Sequence, residues 1–275
     1  MVFSTHILPR RTSTGLRNLT IIAYVVPLVY VLATSFKSTA EINRNPAGLV
    51  FMPTLDNYSS SISSDLFRAA GVSIAIALSV TVIVLVVGVP AAYSISRLRG
   101  RSYSVAMALL ILLQLVPAAA TLMPQYQFLY QLGLLGTVQG LILVDAAGVL
   151  PFAILLLVPF CAKIPDEVLD ASEVDGVGIV RRLWSIVLPL TLNGVLVVGV
   201  ITFIGAWGEF LAAVTFINDP SLQPLSLVIL SSIGANTINF GTLTAVAVLA
   251  SLPLLVLYLL VQRRMRDGLN AGAVR

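Results

Sequence analysis

The sequence predicts an all-α integral membrane domain of six transmembrane helices, and three observations carry that prediction. Of its 275 residues, 58% are hydrophobic and 10% charged, with a mean hydropathy of +0.99; an ordinary soluble domain carries about 25% charged residues. Apolar stretches of membrane-crossing length recur from end to end and leave no polar block large enough for a separate domain. Lys and Arg fall between those stretches and alternate by side. A water-soluble fold is excluded, and the net charge of +4 is not gathered into a patch that would grip nucleic acid.

A bilayer core about 30 Å thick needs roughly 20 mostly apolar residues of helix. That window selects Leu19 to Phe36, Ala69 to Ile95, Tyr103 to Met123, Val138 to Ala162, Leu188 to Val214 and Gly241 to Val261. The piece Leu225 to Ile233 is too short to cross and is expected to cap the outer surface. Basic residues near span ends tend to stay cytoplasmic. Arg10, Arg11 and Arg17 precede the first span; Arg97, Arg99 and Arg101 follow the second; Lys163, Arg181 and Arg182 follow the fourth; Arg263, Arg264, Arg266 and Arg275 follow the sixth. Only Lys37, Arg44 and Arg68 of the 16 basic residues lie on the other side, so both termini are expected in the cytoplasm. The chain divides into a tail of residues 1–18, a six-helix domain of 19–262 and a tail of 263–275. No small-x-small cleavage pattern follows Ala33, and Pro27 interrupts the first stretch, so an uncleaved first helix is expected. No fixed-period repeat, low-complexity tract or heptad array supports a solenoid or coiled coil.

Cys161 and His6 are the only thiol and imidazole, too few for a disulfide framework or a structural zinc site, and Cys161 reads as a small buried residue. No nucleophile–base pair or paired-carboxylate site is visible inside the spans, which argues against a membrane enzyme. The only lysines, Lys37 and Lys163, follow Phe and Ala, so no P-loop can cradle nucleotide phosphates here.

The loop from Lys163 to Pro189 differs from the others. It holds Asp166, Glu167, Asp170, Glu173 and Asp175, five of the chain's 12 acidic residues. Pro165 suits a first helical position, Asp166 and Glu167 suit the positive helix end, and Gly176 with Gly178 suit its close. A second helix then carries Val180, Leu183, Trp184 and Val187 at the spacing of one apolar face, with Arg181 and Arg182 beside it. Pattern alone leaves two readings open, a solvated connector or a small amphipathic helix pair that docks on a partner.

Spacing adds to this. The run Asp170-Ala171-Ser172, three residues, Gly176, nine residues, Ile186, one residue, Leu188-Pro189 resembles the signature Glu-Ala-Ala-x3-Gly-x9-Ile-x-Leu-Pro of binding-protein-dependent ABC importer permeases. Asp170 stands for the usual Glu and Ser172 for the second Ala, keeping charge sign and small size. Met52-Pro-Thr-Leu-Asp-Asn-Tyr58, Phe203-Ile-Gly-Ala-Trp-Gly-Glu-Phe210 and Gly268-Leu-Asn-Ala-Gly-Ala-Val274 are similar to the six-span subunit of maltose-type carbohydrate permeases, so the likeness runs from about Thr20 to the end. Two letters depart: Val72 precedes Ser73 where those permeases show Asn, and Gly208 follows Trp207 where they show Asn.

The resemblance implies the type I fold of ABC importer permeases, with the loop as a cytoplasmic helix-turn-helix that couples transport to a separate ATPase. Glu167, Asp170, Ala171, Ser172, Asp175, Gly176, Ile186, Leu188 and Pro189 would form that coupling loop. It further implies a second permease subunit, an ABC ATPase dimer that holds ATP and Mg, an extracytoplasmic substrate-binding protein, and a place in the prokaryotic inner or plasma membrane. The tail after Arg263 is then either an ATPase contact or a basic membrane anchor. This chain itself is expected to bind no cofactor or metal and to be no enzyme.

Polar groups within spans are costly and usually face a cavity or another helix, which makes Gln114, Asp145, Asn193 and Glu209 candidates for a solute pathway. Asp145 would accept hydrogen bonds from sugar hydroxyls, pair with a charge on the partner permease, or lie hydrated near the outer interface. Trp207, beside Glu209, would stack on a sugar ring or anchor the helix at the interface. Pro117, Pro151 and Pro253 read as kinks. The competing function is an ion-gradient-driven secondary transporter, which needs ion sites at mid-membrane, and Asp145 is the chain's one acid well inside a span.

Overall fold

In hydrocarbon every backbone polar group must be satisfied within its own segment, so apolar runs of this length have one conformation open to them short of a closed barrel. The computed structural model describes residues 10–231 and 239–273, and these are helical throughout apart from connections. In order they form α1 (Arg10–Ser35), α2 (Thr39–Arg44), α3 (Asp56–Ser61), α4 (Ser64–Ser96), α5 (Gly100–Gln114), α6 (Ala118–Gln131), α7 (Val138–Ala162), α8 (Asp166–Val174), α9 (Ile179–Arg182), α10 (Leu188–Trp207), α11 (Leu211–Phe216), α12 (Leu225–Ser231) and α13 (Phe240–Ala273). Residues 1–9, Ile233 and the side chains from Arg263 onward lie outside what is described, and with them the expected tail contacts.

Among the described residues, five helical stretches are long and apolar enough to cross a membrane: Arg17–Ser35, Ser64–Ser96, Val138–Ala162, Ile179–Trp207 and Phe240–Gln262. The third predicted span differs from expectation. Instead of one helix over Tyr103 to Met123, α5 and α6 meet at 90°. Pro117 is the reason: it has no N–H to donate and disfavours helix at Val116, so α5 ends at Gln114 and α6 restarts from the extended Pro117. The fifth predicted span also changes at both ends. It begins earlier, because α9 runs into α10 through a π turn at Leu183–Val187, and it stops at Trp207 before a short break and α11. The loop's second helix is therefore the first part of a span and not a separate element. The π turn, closed by Leu188 N–H on Leu183 O, sits where the ring of Pro189 would press on the turn before it.

The chain clusters into two compact units. In the unit of Met1–Ser63 with Ser231–Ser251, the end of α1 is stitched to the segment that follows it. Asn57 Nδ2 donates to Ser35 O at 2.9 Å and Lys37 O at 2.7 Å, and Tyr58 Oη shares a 2.7 Å hydrogen bond with Ser35 Oγ. Lys37 is 1% exposed; its ammonium donates to Asn45 O (3.2 Å) and Pro46 O (2.9 Å) and lies 5.3 Å from the Phe51 ring centroid. These contacts account for the Asn57-Tyr58 pair: one amide and one phenol turn the chain back on itself.

In the unit of Ser64–Leu230 with Leu252–Arg275, α4, α7 and α10 pack against one another and form the core, with Ala77, Val80 and Val84 of α4, Leu157 and Val158 of α7 and Val198 of α10 essentially inaccessible. Lipid tails are as apolar as leucine, so packing and not burial from water holds such helices together, and small residues at the seam allow close approach. Gly194 is the tightest case, since an added Cβ would overlap the Phe160 ring. Ser73 Oγ, buried in α4, accepts the Leu225 N–H at 2.8 Å and fixes the start of α12. Near the start of α4, Arg68 donates to Pro220 O at 3.3 Å, while Ser221, through its side chain and then its N–H on Asp219 Oδ1 (2.8 Å), holds the exposed Asp219 carboxyl below the usual carboxylate range, with a smaller contribution from Arg68.

Gly194→Ala is expected to lower the melting temperature of the detergent-solubilised protein, since overpacking typically costs about 1–3 kcal/mol, with Phe160→Leu in the same chain recovering part of the loss. An unchanged melting temperature for Gly194→Ala would show that this seam is looser than described.

Candidate functional site

The signature loop is built on α8. Pro165, extended at φ −60° and ψ 139°, precedes the helix as its cap instead of occupying its first turn, and Asp166 and Glu167 open the helix at its positive end. The far end closes as a Schellman turn: Gly176 N–H donates to Glu173 O and Val177 N–H to Ser172 O, both at 3.0 Å, with Gly176 at φ +70°. A side chain at that φ is strained, yet a Cβ on Gly176 would meet nothing within 4 Å. The requirement for glycine comes from the backbone and not from space within this chain.

The turn sorts the signature residues onto two sides. Ser172 and Leu169 are buried, and Ser172 Oγ donates to Leu169 O at 2.6 Å. Glu167, Asp170, Ala171, Asp175 and Gly176 are exposed, as is Val174 at 89%. Of the predicted apolar face on the second limb, Val187 is buried and Leu183 half-buried, but Val180 and Trp184 remain exposed alongside Ile179. Ile186 and Leu188 are half-buried and Pro189 exposed. One face of the helix-turn-helix thus belongs to this chain, and an acid-rich face with four large apolar side chains has no cover in it.

Both ends of α8 are held by arginines. Arg97, just past α4, meets Asp166 with Nη1 to Oδ1 at 2.8 Å, and Arg182 meets Glu173 with Nη1 to Oε2 at 3.7 Å. The sequence marked both only as charges that orient the chain, because nothing in one dimension brings residue 97 beside residue 166.

The pathway candidates separate. A cavity of about 710 Å³ is lined by Gln114 at the end of α5, Asp145 and Gly148 of α7, Glu209 in the break after α10, and Thr121 and Gln125 of α6. No Lys, Arg or His lines it among the described residues. Asp145 is 8% exposed and its Oδ2 has no hydrogen-bond partner among the described residues. Glu209 is already committed in part: its Oε1 accepts the Ala212 N–H at 2.8 Å, capping α11, while its carbonyl accepts from Ser226 Oγ at 2.7 Å. Trp207 does not line the cavity; it is buried and stacked on Phe203, with centroids 6.2 Å apart and planes 13° apart. Asn193 is exposed on α10, outside the cavity. Thr121 and Gln125 escaped the sequence reading because Pro117 marked only a kink within one span, and a kink does not say which way α6 turns or that it meets α7.

Residues 85–269 match the family model described as the binding-protein-dependent transport system inner membrane component. Among curated relatives, a sulfoquinovosyl glycerol transport system permease protein of Agrobacterium fabrum is 30% identical over 255 residues, covering 90% of this chain and 88% of that one. A diacetylchitobiose uptake system permease protein of Streptomyces coelicolor is 28% identical, covering 91% and 84%. Among solved structures, a chain from a bacterial ABC transporter involved in import of the acidic polysaccharide alginate superposes with a TM-score of 0.79 over 94% of this chain and 99% of that one, at 18% identity, so the fold is shared. On the family match across most of its length, this chain is a membrane-embedded permease belonging to the inner membrane components of binding-protein-dependent transport systems.

Proposed function

We propose that this chain is one of two permease subunits of an ATP-driven ABC importer for a carbohydrate or related polyol, lining half of the translocation path and docking on a separate ATPase dimer through α8. The observation that carries the docking assignment is the Schellman turn at Gly176, which turns Asp170, Ala171, Asp175 and Gly176 outward in the signature spacing while keeping Ser172 inside. The carbohydrate class is supported by the sulfoquinovosyl glycerol and diacetylchitobiose permeases among the relatives. In this reading six spans cross the inner membrane with both termini and α8 in the cytoplasm, the bent α5–α6 pair counting as one span. An extracytoplasmic binding protein delivers solute, and ATP with Mg binds the ATPase. Closure of the ATPases moves α8 and, with it, the spans, a rigid-body transition biased by nucleotide. The solute path runs by the cavity of Gln114, Asp145 and Glu209, whose carboxylates and amides suit the hydroxyl donors of a sugar.

Three experiments test this. A Gly176→Val chain is expected to lose co-purification with the ATPase, since a non-glycine residue at this φ costs roughly 1–2 kcal/mol. Gly176→Asn, which tolerates the left-handed region, is expected to retain more than Gly176→Ala, and full coupled transport by Gly176→Val would remove α8 as the docking helix. For orientation, single cysteines replacing Asp170 and Asn43 in a Cys161→Ala background are expected to react with an impermeant maleimide only from the cytoplasmic and only from the outer side, respectively. The reverse pattern would invert the topology. Asp145→Ala is expected to leave ATPase co-purification intact and cut coupled uptake several-fold, as loss of a hydrogen bond of about 0.5–1.5 kcal/mol requires; unaltered uptake would take Asp145 off the path.

A further inference from the structure

We propose that Arg97 is a positioning residue for energy coupling, a clamp that fastens the start of α8 to the ends of α4 and α7 so that force on α8 is delivered to the packed spans. The inference rests on the reading of α8 as the ATPase-docking helix. A charge needed only to orient the chain would extend into water, and Arg99 does so: its side chain is 90% exposed and reaches Asp166 Oδ2 only at 3.6 Å. Arg97 differs in every respect. Its side chain is 26% exposed, Nη1 lies 2.8 Å from Asp166 Oδ1, and Nη2 donates to the carbonyls of Cys161 and Ile164. Its guanidinium sits 5.6 Å from the Tyr93 ring centroid.

These partners belong to three elements. Cys161 O is among the last carbonyls of α7; it accepts the Ile164 N–H at 3.2 Å and has a second lone pair left for Arg97. Asp166 is the first residue of α8, Tyr93 lies in the last turn of α4, and Arg97 directly follows that helix. The covalent link between α7 and α8 is only Lys163, Ile164 and Pro165; the Lys163 and Ile164 N–H groups turn back onto Phe160 O and Cys161 O, which fastens the joint to α7 but not to α4. Arg97 crosses it. Because α4 and α7 pack together, a push on α8 becomes movement of both. At the other end of α8, Arg182, with a side chain 13% exposed, meets Glu173 and ties the helix to the limb that continues as α10. The docking helix is thus clamped at its start, to α4 and α7 by Arg97, and held more loosely at its end, where Arg182 lies 3.7 Å from the exposed Glu173. The planar fork matters, since it bonds a carboxylate and a carbonyl at once, and a lysine ammonium cannot reproduce both directions.

The test uses the complete complex in liposomes, with its own binding protein carrying the solute with which it purifies. The readouts are melting temperature, ATPase co-purification, and the ratio of ATP hydrolysis with binding protein to hydrolysis without it. Arg97→Gln is expected to leave co-purification intact while the ratio falls several-fold, Arg97→Lys to recover part, Asp166→Asn to show a smaller fall, and Arg99→Gln no change. Arg97→Gln and Asp166→Asn together are expected to cost less than the sum of the two. A lowered melting temperature with an unchanged ratio would make Arg97 merely structural and overturn the proposal. Should Arg97→Gln not assemble, Arg97→Lys and Asp166→Asn decide, and wild-type ratios in both would overturn it. Failure of the unsubstituted chain to bind the ATPase would instead defeat the docking reading on which the clamp depends.

Discussion

Hydrocarbon offers no hydrogen-bonding partner, so each place where this chain interrupts a helix must be repaired from within the protein or opened onto a cavity. Two interruptions of the spans in the unit built on α4, α7 and α10 follow these routes, and the two at the docking helix are likewise closed from within the protein. At Leu115–Pro117 the break opens onto the cavity that holds Asp145. After Trp207 the freed groups are taken up by Glu209 Oε1 on Ala212 N–H and by Ser226 Oγ on Glu209 O. After Ala162 the Lys163 and Ile164 N–H groups donate to Phe160 O and Cys161 O, and Arg97 adds bonds to Cys161 O and to Ile164 O in the joint. After Val174 the Schellman turn closes α8 on itself.

Two of these repairs flank the docking helix, and this gives the signature loop a mechanical character that its sequence pattern lacks. A helix of nine residues cannot hold its own orientation. Here its two ends are set by the αL glycine and by ion pairs to neighbouring elements, so its exposed face is presented at a defined angle to the spans. The exposed Val174, Ile179, Val180 and Trp184 then form an apolar complement to the acidic Asp170 and Asp175. A surface of that kind matches a partner groove better than it matches water.

The membrane class was legible because hydropathy and the bilayer's thickness act on local sequence. Span length needs only a window, and α7 has the bounds the window assigned, Val138 to Ala162. The Gly176 turn was legible too, since positive φ is a local backbone demand that glycine meets without steric cost. What was not legible involved partners distant in the chain. Trp207 looked interfacial by position, but its ring stacks on Phe203 inside the protein. Lys37 looked like one more charge on the outer side, but it is buried under Asn45, Pro46 and Phe51. Arg97 and Arg182 looked like orienting charges.

By itself, then, the sequence determined the solvent this chain folds in, the rough extent of most of its apolar segments, and the spacing of the signature loop, because each is a one-dimensional consequence of residue polarity or of backbone freedom at a single position. The tertiary structure alone decided that α5 and α6 bend around a cavity, that Asp145 and Glu209 share it while Asn193 and Trp207 do not, and that Arg97 spans the joint into α8. Those outcomes depend on which side chains meet across helices, and a contact between residues 97 and 166 exists only once α4 and α7 have packed.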